Sequence, residues 1–456
     1  MRSLRDFLAL PTYISNMNSP LKIAFLTLGC KLNYAETSTY ERKLLRDAKG
    51  LEVVPWSQGA DLYLVNTCSV TEHSDKKCRN IIRKLHRQSP EAAIFVTGCY
   101  AELKRPEIEA LEGVQKVFGA KEKSQVVPRM LDHILSLSTS ATADGNPQVC
   151  SRTDFFGAYS TGERTRSFLK VQDGCDFKCA YCTVPYARGE SRNEPIEAIV
   201  HKAEEIAATG CREIVLTGVN TGDFGKSTGE SFFELIRKLN DVEGIERYRI
   251  SSIEPNLLTE EMVLWLADGT KFLPHFHIPL QSGCDEILLQ MGRRYDTAAF
   301  ASKLELIRRA FAPRKVFFGI DVIVGFPGET EEHFRQTLNF LENVARPAFI
   351  HVFPYSRRAG TPAALRKDQV QDSIKTERVA RLEELSARLH REFIESCLGD
   401  KAKVLIESKL KDGSLSGYTE NYIKVSCREG QIGNCTEIKL DRNNTGLDKE
   451  LTEPEE

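Results

Sequence analysis

The chain has 456 residues, enough for two or three domains with a substantial buried core, and it sets 62 basic against 64 acidic side chains. That balance excludes a protein drawn to nucleic acid by net charge, so any such partner must be met by a local patch. No apolar run approaches the roughly 20 residues that a membrane-crossing helix needs, and no membrane role is expected.

Residues 1–20 read as a loose extension. The apolar piece Phe7-Leu-Ala-Leu is cut off by Pro11 with no cleavage site behind it, and Met17 is the expected true start. The chain carries 13 cysteines, spread along its length without an export signal. Such usage points to a reducing compartment, the cytoplasm.

From residue 21 to about 127, short apolar runs alternate with helical patterns, the mark of a parallel α/β sheet. Strands are expected at 22–28, 61–66 and 93–97, and each runs at once into a cysteine: Cys30, Cys68 and Cys99. In a parallel sheet all strand carboxyl ends emerge along one edge, where open α/β sheets bind ligands. One cysteine there is an ordinary core residue. Three at the same structural position imply a [4Fe–4S] cluster with one iron left free of protein. The helix 71–88 places Lys76, Arg79, Arg83 and Arg87 on one stripe and Cys78, Ile81, Ile82 and Leu85 on another. A solvated outer face is the ordinary explanation, but no acid follows Asp75, which favours contact with RNA phosphates.

Residues 124–161 lose the pattern and read as a polar linker. Beyond it, strands are expected at 167–171, 213–217, 247–252, 274–279, 316–324 and 348–352, with helices at 194–208, 232–239, 296–310 and 331–344 between them. Six βα units make an incomplete barrel whose functional face lies at the strand carboxyl ends. The first of these strands feeds Cys175-Asp-Phe-Lys-Cys179-Ala-Tyr-Cys182, a CxxxCxxC run. Three thiolates this close can hold three irons of a [4Fe–4S] cube and leave the fourth open. A zinc site would want a fourth Cys or His, and the loop offers only Tyr186. His275 and His277 alternate along their strand, so that one faces the barrel interior, as a core or substrate-pocket residue rather than a metal ligand.

A helix over 370–397 carries Leu382, Leu385, Leu389 and Phe393 on one stripe and stops at Gly399. Short strands at 403–407, 422–425 and 436–440, with an Asp412-Gly413 turn, suggest a small β-barrel. Residues 441–456 are polar and acidic and are expected to be disordered. Cys78, Cys211, Cys284, Cys397, Cys427 and Cys435 read as packed or incidental thiols, and Cys150 as an exposed linker residue.

The motifs Thr27-Leu-Gly-Cys30-Lys-Leu-Asn33, Asn66-Thr-Cys68-Ser-Val-Thr71, Thr97-Gly-Cys99, Gln172-Asp-Gly-Cys175 and Pro279-Leu-Gln-Ser-Gly283 resemble those of the radical S-adenosylmethionine (SAM) methylthiotransferases. The resemblance runs from about residue 21 to 440. It implies an α/β fold of three parts: a parallel-sheet methylthiotransferase domain over 21–145, an incomplete (β/α)6 radical-SAM barrel over 160–385 and a TRAM-like β-barrel over 388–445. The cofactors implied are SAM and two [4Fe–4S] clusters. Cys175, Cys179 and Cys182 would hold the one that splits SAM, and Cys30, Cys68 and Cys99 the auxiliary one that delivers sulfur. Within the family, Gly-Cys-Lys-Leu-Asn together with Ser251-Ser-Ile-Glu-Pro255 looks most like the branch that methylthiolates carbon 2 of N6-threonylcarbamoyladenosine in tRNA. Other branches act on isopentenyladenosine or on an aspartate of a ribosomal protein. A zinc-stabilised RNA-binding protein is the non-enzymatic alternative.

SAM must also meet polar groups at the strand ends. Candidates are Gly218, Asn220, Glu254, Gln281 and Ser282, with Arg188 and Arg192 for its carboxylate, although each glycine or arginine is as readily a turn or a solvated surface residue. An electron donor such as a flavodoxin or ferredoxin is implied, and a monomer is expected.

Overall fold

The computed structural model describes residues 19–138, 155–162 and 165–451. The Met17 start, Cys150, much of the polar linker and the last five residues lie outside the described residues. The chain divides into two compact units. One comprises Met1–Ser160, Asp173–Asp176 and Thr183–Arg192, and the other Thr161–Gln172, Phe177–Cys182 and Asn193–Glu456.

The first unit is built on a parallel sheet in the order β2-β1-β3-β4-β5, from β1 (Leu21–Thr27), β2 (Leu51–Val53), β3 (Leu62–Thr67), β4 (Ala93–Gly98) and β5 (Val114–Val117). Its central strands β3 and β4 are covered on both faces, and alternate residues feed two cores. Leu62 and Leu64 pack with Tyr40, Phe118 and Met130 on one side. Tyr63 and Val65 pack with Ile82, Leu85 and Tyr100 on the other. Each such side chain contributes about 1.5–3 kcal/mol relative to exposure. The stretch expected to be patternless from residue 124 instead opens with the helix Val126–Ser138. Val126, Val127, Met130, Leu131 and Ile134 make one apolar stripe there, masked in the sequence by the serine-rich run that begins at Ser136.

In the second unit, β6 (Arg166–Lys170), β7 (Glu213–Thr217) and β8 (Arg247–Ile250) form one parallel sheet. A second is formed by β9 (His275–Gln281), β10 (Phe317–Val324) and β11 (Phe349–Pro354). A parallel bridge between Tyr248 and Phe272 and a bond from Ile253 N to His277 O (3.1 Å) join them into one six-strand wall. The expected strands are thus all present, within a few residues. The helices Glu260–Ala267 and Asp285–Met291 are added.

The C-terminal sheet is antiparallel, in the order β14-β13-β12-β15. It is built from β12 (Lys401–Lys409), β13 (Leu415–Tyr418), β14 (Lys424–Cys427) and β15 (Cys435–Lys439). β13 was not foreseen, because Ser-Gly content hides it. A Cβ on Gly417 would stand 2.0 Å from Leu405 O, beside a register shift in β12, so the strand requires glycine there. The expected Asp412-Gly413 turn joins β12 to β13, with Gly413 at φ +83°. Residues 441–448, expected to be disordered, are held by turns in which Asp441 Oδ1 accepts from the Asn443 and Asn444 amides, both at 2.8 Å.

The base of the six-strand wall grips this sheet through buried charge. Glu213 pairs with Arg247 and Arg249, each at 2.7 Å. Arg249 donates to Glu420 O (2.9 Å) and Thr419 O (2.8 Å), and Arg247 to Lys403 O (3.1 Å). Tyr422, at φ +65°, stacks on Tyr418 and on His275, both at 4.8 Å.

Candidate active site

The three motif cysteines of the first unit sit on one sheet edge, locked by their own motif neighbours. Cys30 precedes the helix Lys31–Asp47, and its thiol donates to Asn33 Oδ1 at 3.3 Å. The Asn33 amide donates to Asn66 Oδ1 (2.7 Å) and Thr67 O (3.0 Å), and the Asn66 amide returns to Asn33 O (3.0 Å). The exits of β1 and β3 are thereby tied. Thr67 Oγ1 donates to Thr97 O at 2.6 Å and accepts from Ala101 N at 3.3 Å, which ties β3 to β4. Gly98 has φ +104°, and a Cβ there would stand 2.2 Å from Thr67 O, so only glycine lets β4 turn into Cys99.

Burial pushes the Cys68 thiol up to about 12, and Cys99 and Cys30 push it the same way, so the three thiols feel one another. Burial likewise raises Cys99, with Cys30 adding to it, whereas Arg188 and Lys123 pull it down. Three converging thiols with cations beside them fit a metal cluster: the metal displaces the protons and the cations balance the remaining negative charge. Cys78 is a packed thiol that donates to Cys68 O at 3.6 Å.

Arg188 and Arg192 were candidates for the carboxylate of SAM. The structure commits them instead to a buried network within the first unit. Arg188 meets Asp173 at 2.9 Å, Glu36 at 3.3 Å and Asn33 Oδ1 at 2.9 Å. Lys123 meets Glu36 at 2.7 Å and Asp173 at 3.2 Å, and Arg192 meets Asp173 at 3.4 Å. The physical reason is burial: Asp173 is inaccessible to solvent and needs cationic partners. Glu36, Lys123 and Asp173 escaped the sequence reading because nothing in their spacing announces that they meet.

The CxxxCxxC loop is anchored at both ends. In the first unit, Cys175 N donates to Gly189 O at 3.0 Å, and Gly174 (φ +73°) could carry no side chain, since a Cβ would fall 1.9 Å from Glu190 O. In the second unit, Arg293 Nη1 donates to Cys179 Sγ and to Tyr181 Oη, both at 3.3 Å. The same guanidinium donates to Glu254 and to Tyr295 Oη (2.8 Å). Burial raises Tyr181 well above the usual phenol range; Arg293 opposes that shift, whereas Cys179 and Cys182 add to it.

Of the strand-end candidates, Gly218 and Asn220 belong to a turn closed by Gln172, whose Oε1 accepts from Val219 N (2.9 Å) and Asn220 N (3.0 Å). Glu254 is the ion-pair partner of Arg293. Gln281 takes φ +70° at the end of β9, a left-handed conformation that a non-glycine residue adopts only where its surroundings impose it. Ser282 is committed to packing: its Oγ lies 3.3 Å from Thr337 Oγ1 and accepts from Cys284 N at 3.2 Å.

One cluster was missed. His277, Asp321 and His351 bring their side-chain donor atoms within 4.8 Å of one another. His277 Nε2 lies 2.7 Å from Asp321 Oδ1, and the two imidazoles stack at 4.9 Å. His275 and His277 were expected to face opposite ways, but residues two apart on a strand share a face. His275 accordingly meets Phe317, and His277 meets Asp321, on one face of β10.

On the helix Glu72–Gln88, capped by Thr71 accepting from Ser74 N (3.1 Å), Lys76, Arg83 and Arg87 are exposed. Arg79 is not free for RNA: it donates to Tyr100 Oη at 2.6 Å and pairs with Glu107. Among the described residues, no helix is long and apolar enough to cross a membrane.

Residues 169–341 match the Radical SAM superfamily, and residues 22–119 match a family described as Uncharacterized protein family UPF0004. The chain is similar to the threonylcarbamoyladenosine tRNA methylthiotransferase MtaB of Bacillus subtilis, at 38% identity over 92% of this chain and 93% of that protein. The Aquifex aeolicus protein of the same name is 36% identical, covering 92% of this chain and all of its own length (100%). A tRNA-2-methylthio-N(6)-dimethylallyladenosine synthase of Wolbachia pipientis is 32% identical over 84% of this chain and 87% of its own. Among solved structures, the radical SAM methyltransferase TsrM of Kitasatospora setae shares the fold, with a TM-score of 0.53 at 14% identity over 76% of this chain and 77% of that one.

Proposed function

The chain belongs to the radical-SAM methylthiotransferases, and from that membership we propose that it installs a methylthio group on carbon 2 of N6-threonylcarbamoyladenosine, next to the anticodon of tRNA. The observation that carries the substrate is the 38% identity, over 426 residues, to a protein named for that modification. The relative named for the dimethylallyl base reaches 32% over 395. A zinc-stabilised, non-enzymatic protein is thereby set aside.

The cofactors are SAM and two [4Fe–4S] clusters. Cys175, Cys179 and Cys182 hold one, and Cys30, Cys68 and Cys99 hold the other. When bound, these groups supply homolytic hydrogen abstraction, sulfur and a methyl group. The protein supplies position. Arg293 pins the Cys179 thiolate and ties it to Glu254, just beyond β8. Asn33, Asn66 and Thr67 fix the three strand exits that present the other thiolates. Arg188 and Lys123 balance charge beside Cys99. Lys76, Arg83 and Arg87 offer a cationic stripe to the RNA backbone. We further assign the domain limits 21–145, 160–385 and 388–445, a cytoplasmic monomer, and a flavodoxin- or ferredoxin-type electron donor.

Mass spectrometry of tRNA nucleosides from a deletion strain tests the substrate. The methylthio form of threonylcarbamoyladenosine is expected to vanish while the unthiolated base accumulates. Loss of the methylthio mark from isopentenyladenosine instead would move the substrate to the other tRNA branch.

A further inference from the structure

We infer that the His277–Asp321–His351 cluster in the second unit is the pocket that reads the polar side chain of the substrate base, with His351 the specificity-determining residue. The inference rests on the proposed substrate and deepens it. β10 is the middle strand of its sheet: Asp321 is paired in register with His351 of β11, and Gly319 with His277 of β9. Gly319 leaves a floor with no side chain beside His351 Nε2. The walls are the two stacked imidazoles and the Asp321 carboxylate, each half-buried.

The cluster is connected to the reaction centre. Asp321 lies close enough to Glu254 to help raise its carboxyl pKa, although burial is the largest cause of that shift. Glu254 is ion-paired with Arg293, and Arg293 holds Cys179 Sγ at 3.3 Å. Polar side chains thus run from the cluster through Glu254 and Arg293 to Cys179.

The chemistry of the walls selects the ligand. A threonylcarbamoyl group carries urea N–H donors, a hydroxyl and a carboxylate. Asp321 accepts from N–H or O–H donors, and imidazole N–H groups donate to a carboxylate. Asp321 also orients His277, on which the His351 imidazole stacks, so the three side chains hold one shape. An isopentenyl group offers none of these partners and would strip water from three polar side chains without replacing it. A site built around such hydrogen bonds rejects an apolar analogue far more strongly than an apolar pocket rejects a polar one.

The test compares two anticodon stem-loop RNAs, one with threonylcarbamoyladenosine and one with plain adenosine at the same position. They are presented to the cluster-loaded enzyme and to His351→Phe, His351→Asn and Asp321→Asn, with iron content as the measure of intact protein. We expect wild type to prefer the modified RNA. His351→Phe should lose roughly 30-fold or more of that preference, mainly in KM, and His351→Asn, which keeps a donor, should recover most of it. Asp321→Asn should lose preference in the same direction. A wild type without preference would overturn the proposed substrate. A wild type with preference that His351→Phe keeps would overturn this inference alone. Elemental analysis finding one further divalent metal per chain, lost in Asp321→Asn, would also overturn it and make the cluster a metal site.

Discussion

Arg293 Nη1 stands 3.3 Å from Cys179 Sγ while its other terminal nitrogen pairs with Glu254. One buried guanidinium thus joins a thiol of the CxxxCxxC run to the segment that follows β8. Burial holds Glu254 above the usual carboxylate range, and Arg293 is the main influence pulling it back. Arg293→Ala removes that opposition. A carboxylate with a raised folded-state pKa destabilises the fold only where it must ionise. The loss is therefore absent below the unfolded value of roughly 4.3 and grows as pH rises through the folded value. Thermal unfolding is expected to show a loss of about 3–5 kcal/mol near pH 7 that shrinks toward pH 4. Adding Glu254→Gln should restore most of it. A penalty independent of pH would contradict the pairing.

The two cysteine sets make separable predictions. Ala at Cys30, Cys68 or Cys99 is expected to lower bound iron by about four per chain and to abolish methylthio product while leaving SAM cleavage measurable. Ala at Cys175, Cys179 or Cys182 should abolish both activities. Iron assay and chromatography of the SAM fragments read the two outcomes. Equal loss of both activities from either set would refute the division of labour.

What was legible in the sequence, and what was not, follows from distance along the chain. The strand-end cysteines were readable because each is announced locally, by an apolar run that stops at a thiol. β5 was missed because Gln115 and Lys116 interrupt a four-residue edge strand, Val114–Val117, with exposed polar groups. Lys123 and Glu36 meet across 87 positions and have no local signature. The same holds for Asp321 and His351. Each is an ordinary strand residue until the register of β10 on β11 sets them side by side. The buried ion pairs of Arg188 were not legible for a related reason. Its closeness in sequence to the CxxxCxxC run suggested SAM, whereas its side chain meets Asp173 and Glu36.

The exposed stripe on the helix Glu72–Gln88 gives a salt-dependent prediction. Replacing Lys76, Arg83 and Arg87 together with Ser should weaken tRNA binding without altering SAM cleavage in its absence. Each lost phosphate contact should flatten the log Kd against log salt slope by about 0.7–0.9. Arg79 is left out, because its removal would also strand Tyr100 and Glu107. An unchanged slope would show that the stripe is only a solvated face.

Glu213 offers the sharpest test of how the C-terminal sheet is held. Its carboxylate is inaccessible to solvent and lies 2.7 Å from both Arg247 and Arg249, which in turn donate to backbone carbonyls at Lys403, Thr419 and Glu420. Burial pushes its pKa up, but Arg249, Arg247 and Arg166 more than reverse that, leaving it below the ordinary range. A depressed folded-state pKa contributes stability that is present above the unfolded value of roughly 4.3 and is lost as pH falls through the folded value. Glu213→Gln keeps the shape but leaves buried guanidiniums without their counter-charge, at a cost of about 3–5 kcal/mol. Hydrogen exchange should then rise first in β12 and β13, whose carbonyls these arginines hold. The acid limb of the wild-type stability curve should flatten in the variant. If exchange rose instead in the first unit, with β12 and β13 still protected, the clamp assigned to these arginines would be wrong.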